Sequence, residues 1–92
     1  MTDKITRQLK IVNEKGLHAR AAAKLVEVVE GFDAVAEVSH SGQSASGDSI
    51  MGLLMLAAAK GSTIDVEIAG PDAGPLADAV AALVADRFGE DM

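Results

Sequence analysis

The 92-residue sequence has no cysteine, tryptophan or tyrosine, and only two phenylalanines and two prolines. Without cysteine there are no disulfides, no thiolate metal sites and no thiol nucleophile, which fits a reducing compartment. With only two aromatic rings there is no set of stacking platforms of the kind single-strand nucleic-acid binders use. Cations are scarce as well: eight Lys+Arg stand against fourteen Asp+Glu, a formal net charge of −6. That excludes bulk nucleic-acid binding, which needs clustered positive charge. The longest apolar run, Ile50 to Ala59, falls short of the ~18 to 20 residues that cross a bilayer. The polar N-terminal stretch MTDKITRQLK lacks the apolar core of a signal peptide. A soluble cytoplasmic protein without membrane insertion is expected, and the length leaves room for one compact domain.

What is present is strong periodicity. Ile5 to Val12 alternates as a half-buried strand does, and Asn13-Glu14-Lys15-Gly16 breaks it with turn chemistry. Ala19 to Glu30 is helical, with Ala22, Val26 and Val29 on one stripe widened by Ala23 and Leu25, and Gly31 just past its end. Phe32 to Ser39 alternates again, placing Ala34, Ala36 and Val38 on one face. A polar hairpin and a short strand, Gln43 to Ser46, follow. Asp48 or Ser49 is positioned to cap a helix over Ile50 to Lys60, which Gly61 ends. Thr63 to Ala69 is a strand, and after the turn-rich Gly70 to Pro75 a last helix carries Leu76, Val80, Leu83, Val84 and Phe88. The order β-α-β-β-α-β-α predicts an α/β (α+β) open-faced sandwich. Three helices cover one face of a four-stranded, mainly antiparallel sheet whose other face meets water.

Two histidines are available for chemistry. His18 lies between a glycine turn and a helix start, with Arg20 two residues on. There the first helical N–H groups, including those of Ala19 and Arg20, lack intrahelical partners, and the helix dipole is positive. Such an end binds anions, phosphate above all, and Arg20 adds a guanidinium. The features describe a histidine that accepts a phosphoryl group and holds it. The plain alternative is a histidine that merely caps a helix or lies on the surface. Metal ligation and general-base catalysis find no partner cluster at suitable spacing, so no metal site is expected. His40, at the end of the second strand, reads as a solvent-facing turn residue.

The run Gly16-Leu17-His18-Ala19-Arg20-Ala21-Ala22 resembles the active-site signature of the HPr family, the histidine-containing phosphocarriers of the bacterial phosphoenolpyruvate phosphotransferase system. Ser49-Ile50-Met51-Gly52-Leu53-Leu54 resembles the family's regulatory-serine segment, and the element order extends the likeness over the whole chain, a single domain of residues 1–92. The resemblance implies phosphorylation of His18 on Nδ1 by phospho-Enzyme I, then transfer to Enzyme IIA-type acceptors, without any cofactor. It makes the protein a carrier and a substrate of other enzymes, not an enzyme, and a monomer suits such handing-over. Ser49 reads first as a helix cap; the resemblance adds phosphorylation by an HPr kinase/phosphorylase in lineages that possess one. Many members carry Pro where this chain has Ala21, and the Ala form resembles the nitrogen-related branch, favouring a regulatory phosphorelay over sugar uptake.

The segment after Ser49 is apolar nearly all round. Leu53, Leu56 and Ala57 are expected in the core, which leaves Ile50, Met51, Leu54 and Met55 as an exposed patch suited to docking several partners. Lys24, one turn beyond Arg20, reads as added charge at its edge or as a solvated lysine. Two other classes compete: a regulatory binding module that uses the patch without carrying phosphate, and a small histidine-dependent hydrolase. The second lacks a partner base, a metal cluster and a basic groove.

Overall fold

The computed structural model describes residues 4–91; residues 1–3 and 92 of the expected 1–92 domain lie outside the described residues. Strand β1 spans Lys4–Lys10, helix α1 Ala19–Glu30, β2 Val35–His40, β3 Gln43–Ser46, α2 Ile50–Met55, β4 Thr63–Ala69 and α3 Ala73–Ala85. A 3₁₀ turn, Arg87–Gly89, follows. The sheet order is β1-β4-β2-β3, with every neighbouring pair antiparallel. This is the expected open-faced α+β sandwich.

The register explains the core. Leu9 lies opposite Ile64, Val38 opposite Val66 and Ala36 opposite Ile68. Because side chains alternate across a strand, Ile64, Val66, Ile68, Ala36 and Val38 are buried on one face. The opposite face carries the Lys4–Glu67 ion pair at 2.9 Å and leaves Val35 71% exposed. Helix α1 buries Ala21, Ala22, Leu25, Val26 and Val29, and α3 buries Ala73, Leu76, Ala77, Val80 and Val84. Short alanines let both helices sit close to the sheet, so the core closes with a single fully buried ring, Phe88.

Several boundaries move, each for a local reason. Strand β2 starts at Val35 rather than Phe32; Asp33 is held at the foot of α3, its N–H donating to Asp72 Oδ2 at 2.8 Å. Strand β1 ends at Lys10 rather than Val12, and Ile11 turns into the core. Helix α2 stops at Met55 instead of running to Lys60. Its last turn tightens into i→i+3 bonds, Leu56 N–H to Leu53 O and Ala57 N–H to Leu54 O, both 3.2 Å. Ala57 then takes φ +52, so Ala57 is exposed and Ala58 buried, the reverse of the expectation for Ala57.

His40 contributes to that stop. It is half-buried rather than solvent-facing, and its Nδ1 donates to Leu56 O at 2.8 Å. A side-chain donor on a terminal carbonyl satisfies a group the helix would otherwise leave orphaned. Phe88 also leaves the expected helix. Helix α3 ends at Ala85, and Arg87 (φ 55), Phe88 (φ 54) and Gly89 (φ 78) form three successive left-handed residues. The turn still places Phe88 in the core, fully buried with Val80 and Val84 as the apolar stripe implied.

Candidate functional site: the start of the first helix

The loop before α1 is pinned at both ends. Ile11 N–H donates to Ser62 O at 2.8 Å, and Gly61 N–H returns to Ile11 O at 2.7 Å. Leu17 is buried and its N–H reaches Ala58 O at 2.9 Å. That bond exists because α2 ends early: in a continued helix, Ala58 O would be turned into the helical ladder. Between the two pins the chain must turn sharply. Gly16 sits at φ +64, and a Cβ there would lie 2.6 Å from Ala58 O, so only glycine fits. The loop is thus moulded against the segment after α2.

This moulding delivers His18 to the N-cap of α1 in an extended conformation, φ −88 and ψ −177. Its side chain caps nothing, and the first helical bond is Ala22 N–H to His18 O at 2.8 Å. The N–H groups of Ala19 and Arg20 therefore precede the helical ladder. The imidazole is 26% exposed and is gripped on one side only, where Nε2 meets Glu90 Oε2.

Glu90 is the residue that sequence reasoning missed, since 72 positions separate it from His18 and no local pattern connects them. Its other oxygen, Oε1, accepts from Asn13 Nδ2 at 2.9 Å, and the same amide nitrogen donates to Gly16 O at 2.8 Å. Asn13, read from sequence only as a turn residue, is fully buried. Its Oδ1 has no partner among the described residues. Reversing the amide would set that oxygen against two acceptors, so the orphan is the lesser cost. The Asn13 hydrogen bond, and after it that of His18, holds the Glu90 carboxyl below the usual carboxylate range.

The expected charges gather nearby. Arg20 is exposed and shares an open cavity of about 290 Å³ with Glu14, Lys15, Lys24, Gly89, Glu90 and Asp91. Among the described residues its guanidinium makes no hydrogen bond or ion pair. Lys24 is half-buried, its Nζ donating to Phe88 O at 2.7 Å, so it ties α1 to the C-terminal turn. Ser49, rather than Asp48, caps α2: its hydroxyl oxygen accepts from Gly52 N–H at 3.0 Å. Beyond it Ile50 is 40%, Met51 71% and Met55 72% exposed, Leu54 is partly buried, and Leu53 and Leu56 lie in the core as expected. Among the described residues no group of His, Asp and Glu could hold a metal ion, and no helix is long and apolar enough to cross a membrane.

The fold and the helix start define a class first: an open-faced antiparallel sandwich presenting a half-exposed histidine at an uncapped helix N-terminus. A family model, the PTS HPr component phosphorylation site, matches residues 5–86. The phosphocarrier protein HPr of Cupriavidus necator is 45% identical over 86 residues, 94% of this chain and 97% of that one. The phosphocarrier protein NPr of Shewanella violacea is 44% identical, covering 95% of this chain and 96% of its own. The crystal structure of HPr from Bacillus anthracis superposes with a TM-score of 0.84 at 32% identity, over 88% of this chain and 96% of that one. The chain belongs to the PTS HPr family, the phosphocarrier proteins of the phosphotransferase system.

Proposed function

We propose that residues 1–92 act as one carrier domain in which His18 accepts a phosphoryl group on Nδ1 from phospho-Enzyme I, ultimately from phosphoenolpyruvate. His18 then passes it to an Enzyme IIA-type acceptor. The observation that carries this reading is the one-sided grip on the imidazole: Nε2 is engaged by Glu90, while Nδ1 makes no hydrogen bond among the described residues. The unpartnered N–H groups of Ala19 and Arg20, the helix dipole and the free Arg20 guanidinium supply the charge stabilisation that a phosphoryl group and its loose transition state need. The Ala21 form of the motif and the likeness to NPr favour a regulatory phosphorelay over sugar uptake.

Partners dock on the apolar patch of Ile50, Met51 and Leu54, with Lys24 adding positive charge at its edge. Ser49 is the regulatory site: phosphorylation by an HPr kinase/phosphorylase adds about two negative charges at a helix start that tolerates them. The test is incubation with phosphoenolpyruvate and Enzyme I. An acid-labile, alkali-stable phosphate lost in His18→Ala is expected; no label under conditions that phosphorylate a control HPr overturns the carrier reading. For Ser49, an acid-stable phosphate from ATP and kinase should vanish in Ser49→Ala.

A further inference from the structure

We propose that His40 is a positioning residue of the transfer site: by holding the end of α2 open, it fixes the loop that carries His18. This deepens the carrier reading and rests on it. His40 is the last residue of β2 and pairs with Gln43 across the hairpin. Side chains alternate along a strand, so it shares the face of the buried Val38, the face that the helices cover. From there its Nδ1–H donates to Leu56 O at 2.8 Å, 16 residues along the chain. A carbonyl only accepts, so the ring proton sits on Nδ1, and Nε2 faces the Ser41 hydroxyl at 3.4 Å.

The segment that His40 holds runs against its own local preference. Leu56-Ala57-Ala58-Ala59 consists of the strongest helix formers, and nothing in its composition stops the helix at Met55. Ala57 nevertheless takes φ +52, a left-handed conformation that alanine rarely adopts and glycine adopts freely. Strain of this kind persists only where the surroundings over-determine it. Two bonds do so here. His40 Nδ1–H takes Leu56 O before Ala57, and Leu17 N–H takes Ala58 O, at 2.9 Å, after it. Were α2 to continue, Leu56 O would turn to the N–H of Lys60 and Ala58 O to that of Ser62, their partners four residues on. Both tertiary bonds would then be lost together.

The Leu17 bond lies one residue before the histidine. Gly16 is packed against the same segment: a Cβ there would lie 2.6 Å from Ala58 O and 2.9 Å from Ala59 Cα. The place of His18 at the α1 start therefore follows from where Ala58 stands. Among the described residues His40 makes no hydrogen bond with His18 or Arg20, so it acts through the backbone of Leu56 to Ala58. A displaced imidazole loses the in-line approach that phosphoryl transfer needs. The patch of Ile50, Met51 and Leu54 lies ahead of the held carbonyl and keeps its place. His40 thus governs the rate within the docked complex rather than the docking.

The experiment pairs backbone amide exchange with single-turnover phosphoryl uptake from phospho-Enzyme I. His40→Ala should open the Leu17 amide to exchange and slow uptake about fivefold at saturating Enzyme I, with the half-saturating concentration unchanged. His40→Asn sets an amide nitrogen where Nδ1 stood and should restore both. Ala57→Gly relieves the left-handed strain and disfavours a continued helix, so adding it to His40→Ala should recover most of the loss. Three results overturn the proposal: a Leu17 amide still protected in His40→Ala, an Asn variant that behaves as the Ala variant, or a loss that falls wholly on the half-saturating concentration. So does protection lost equally at Val66 in the central strand, which would be general destabilisation, or a freed Leu17 amide with an unchanged rate. Wild type that takes up no phosphate would instead sink the carrier reading, and the exchange data would still score the hold of His40 on the loop.

Discussion

Two helix starts in this molecule are built in opposite ways. At α2, Ser49 spends its hydroxyl on Gly52 N–H, so the end is sealed by its own side chain. At α1, the N-cap position is held by His18, which seals nothing and turns its ring to Glu90. A cap typically contributes ~1 kcal/mol. The first helix forgoes that and is instead held by remote parts of the chain: Ala58, Asn13, Glu90 and the buried Phe88. The open end is therefore kept open by tertiary structure, whereas the sealed end maintains itself.

The sharpest way to break this contrast is at the ring. His18→Ala should abolish phosphoryl uptake while changing unfolding free energy by less than about 1 kcal/mol, since no cap is lost. Denaturant unfolding alongside the phosphorylation assay checks both halves. Next in size on stability is Phe88→Ala, expected to cost about 3–5 kcal/mol in urea unfolding because a fully buried ring leaves a cavity. Ser49→Ala should cost about 1 kcal/mol and leave uptake by His18 intact. The converse substitution sharpens the comparison: His18→Ser should be more stable than His18→Ala by about 0.5–1 kcal/mol, because serine supplies the missing cap.

The smallest effect is a pH dependence. Glu90 has its folded-state carboxyl held below the ordinary value by Asn13 and then His18. A depressed carboxyl contributes stability that is fully present above its unfolded value, about 4.3, and is lost as pH falls through the folded value. The stability difference between wild type and Glu90→Gln should therefore be constant near neutrality and shrink below about pH 4. Chemical unfolding across that window measures it; a difference that grows on acidification would contradict the assignment.

Much of this was legible in one dimension. Alternation in Thr63–Ala69 marked the central strand, whose Ile64, Val66 and Ile68 are all buried. Gly16 and His18 marked the turn and helix start, and Ser49 the second cap, because each acts within a few residues of its own position. The early end of α2 was not legible: its apolar run continues to Ala59, and what stops it is a carbonyl required by Leu17, some forty residues earlier, and another taken by His40. The turn at Phe88 escaped for the same reason, since a helical stripe of Val80, Val84 and Phe88 is locally consistent.

By itself, then, the sequence determined the element order, the core faces and the place of His18 at a helix start, because propensity, capping and hydrophobic period are short-range. Only tertiary structure decided which nitrogen of His18 is gripped. That choice depends on a carboxylate brought from the far end of the chain by a strained turn, a buried ring and one asparagine amide. Long-range hydrogen bonds leave no periodicity behind them, so they are found only in the folded chain.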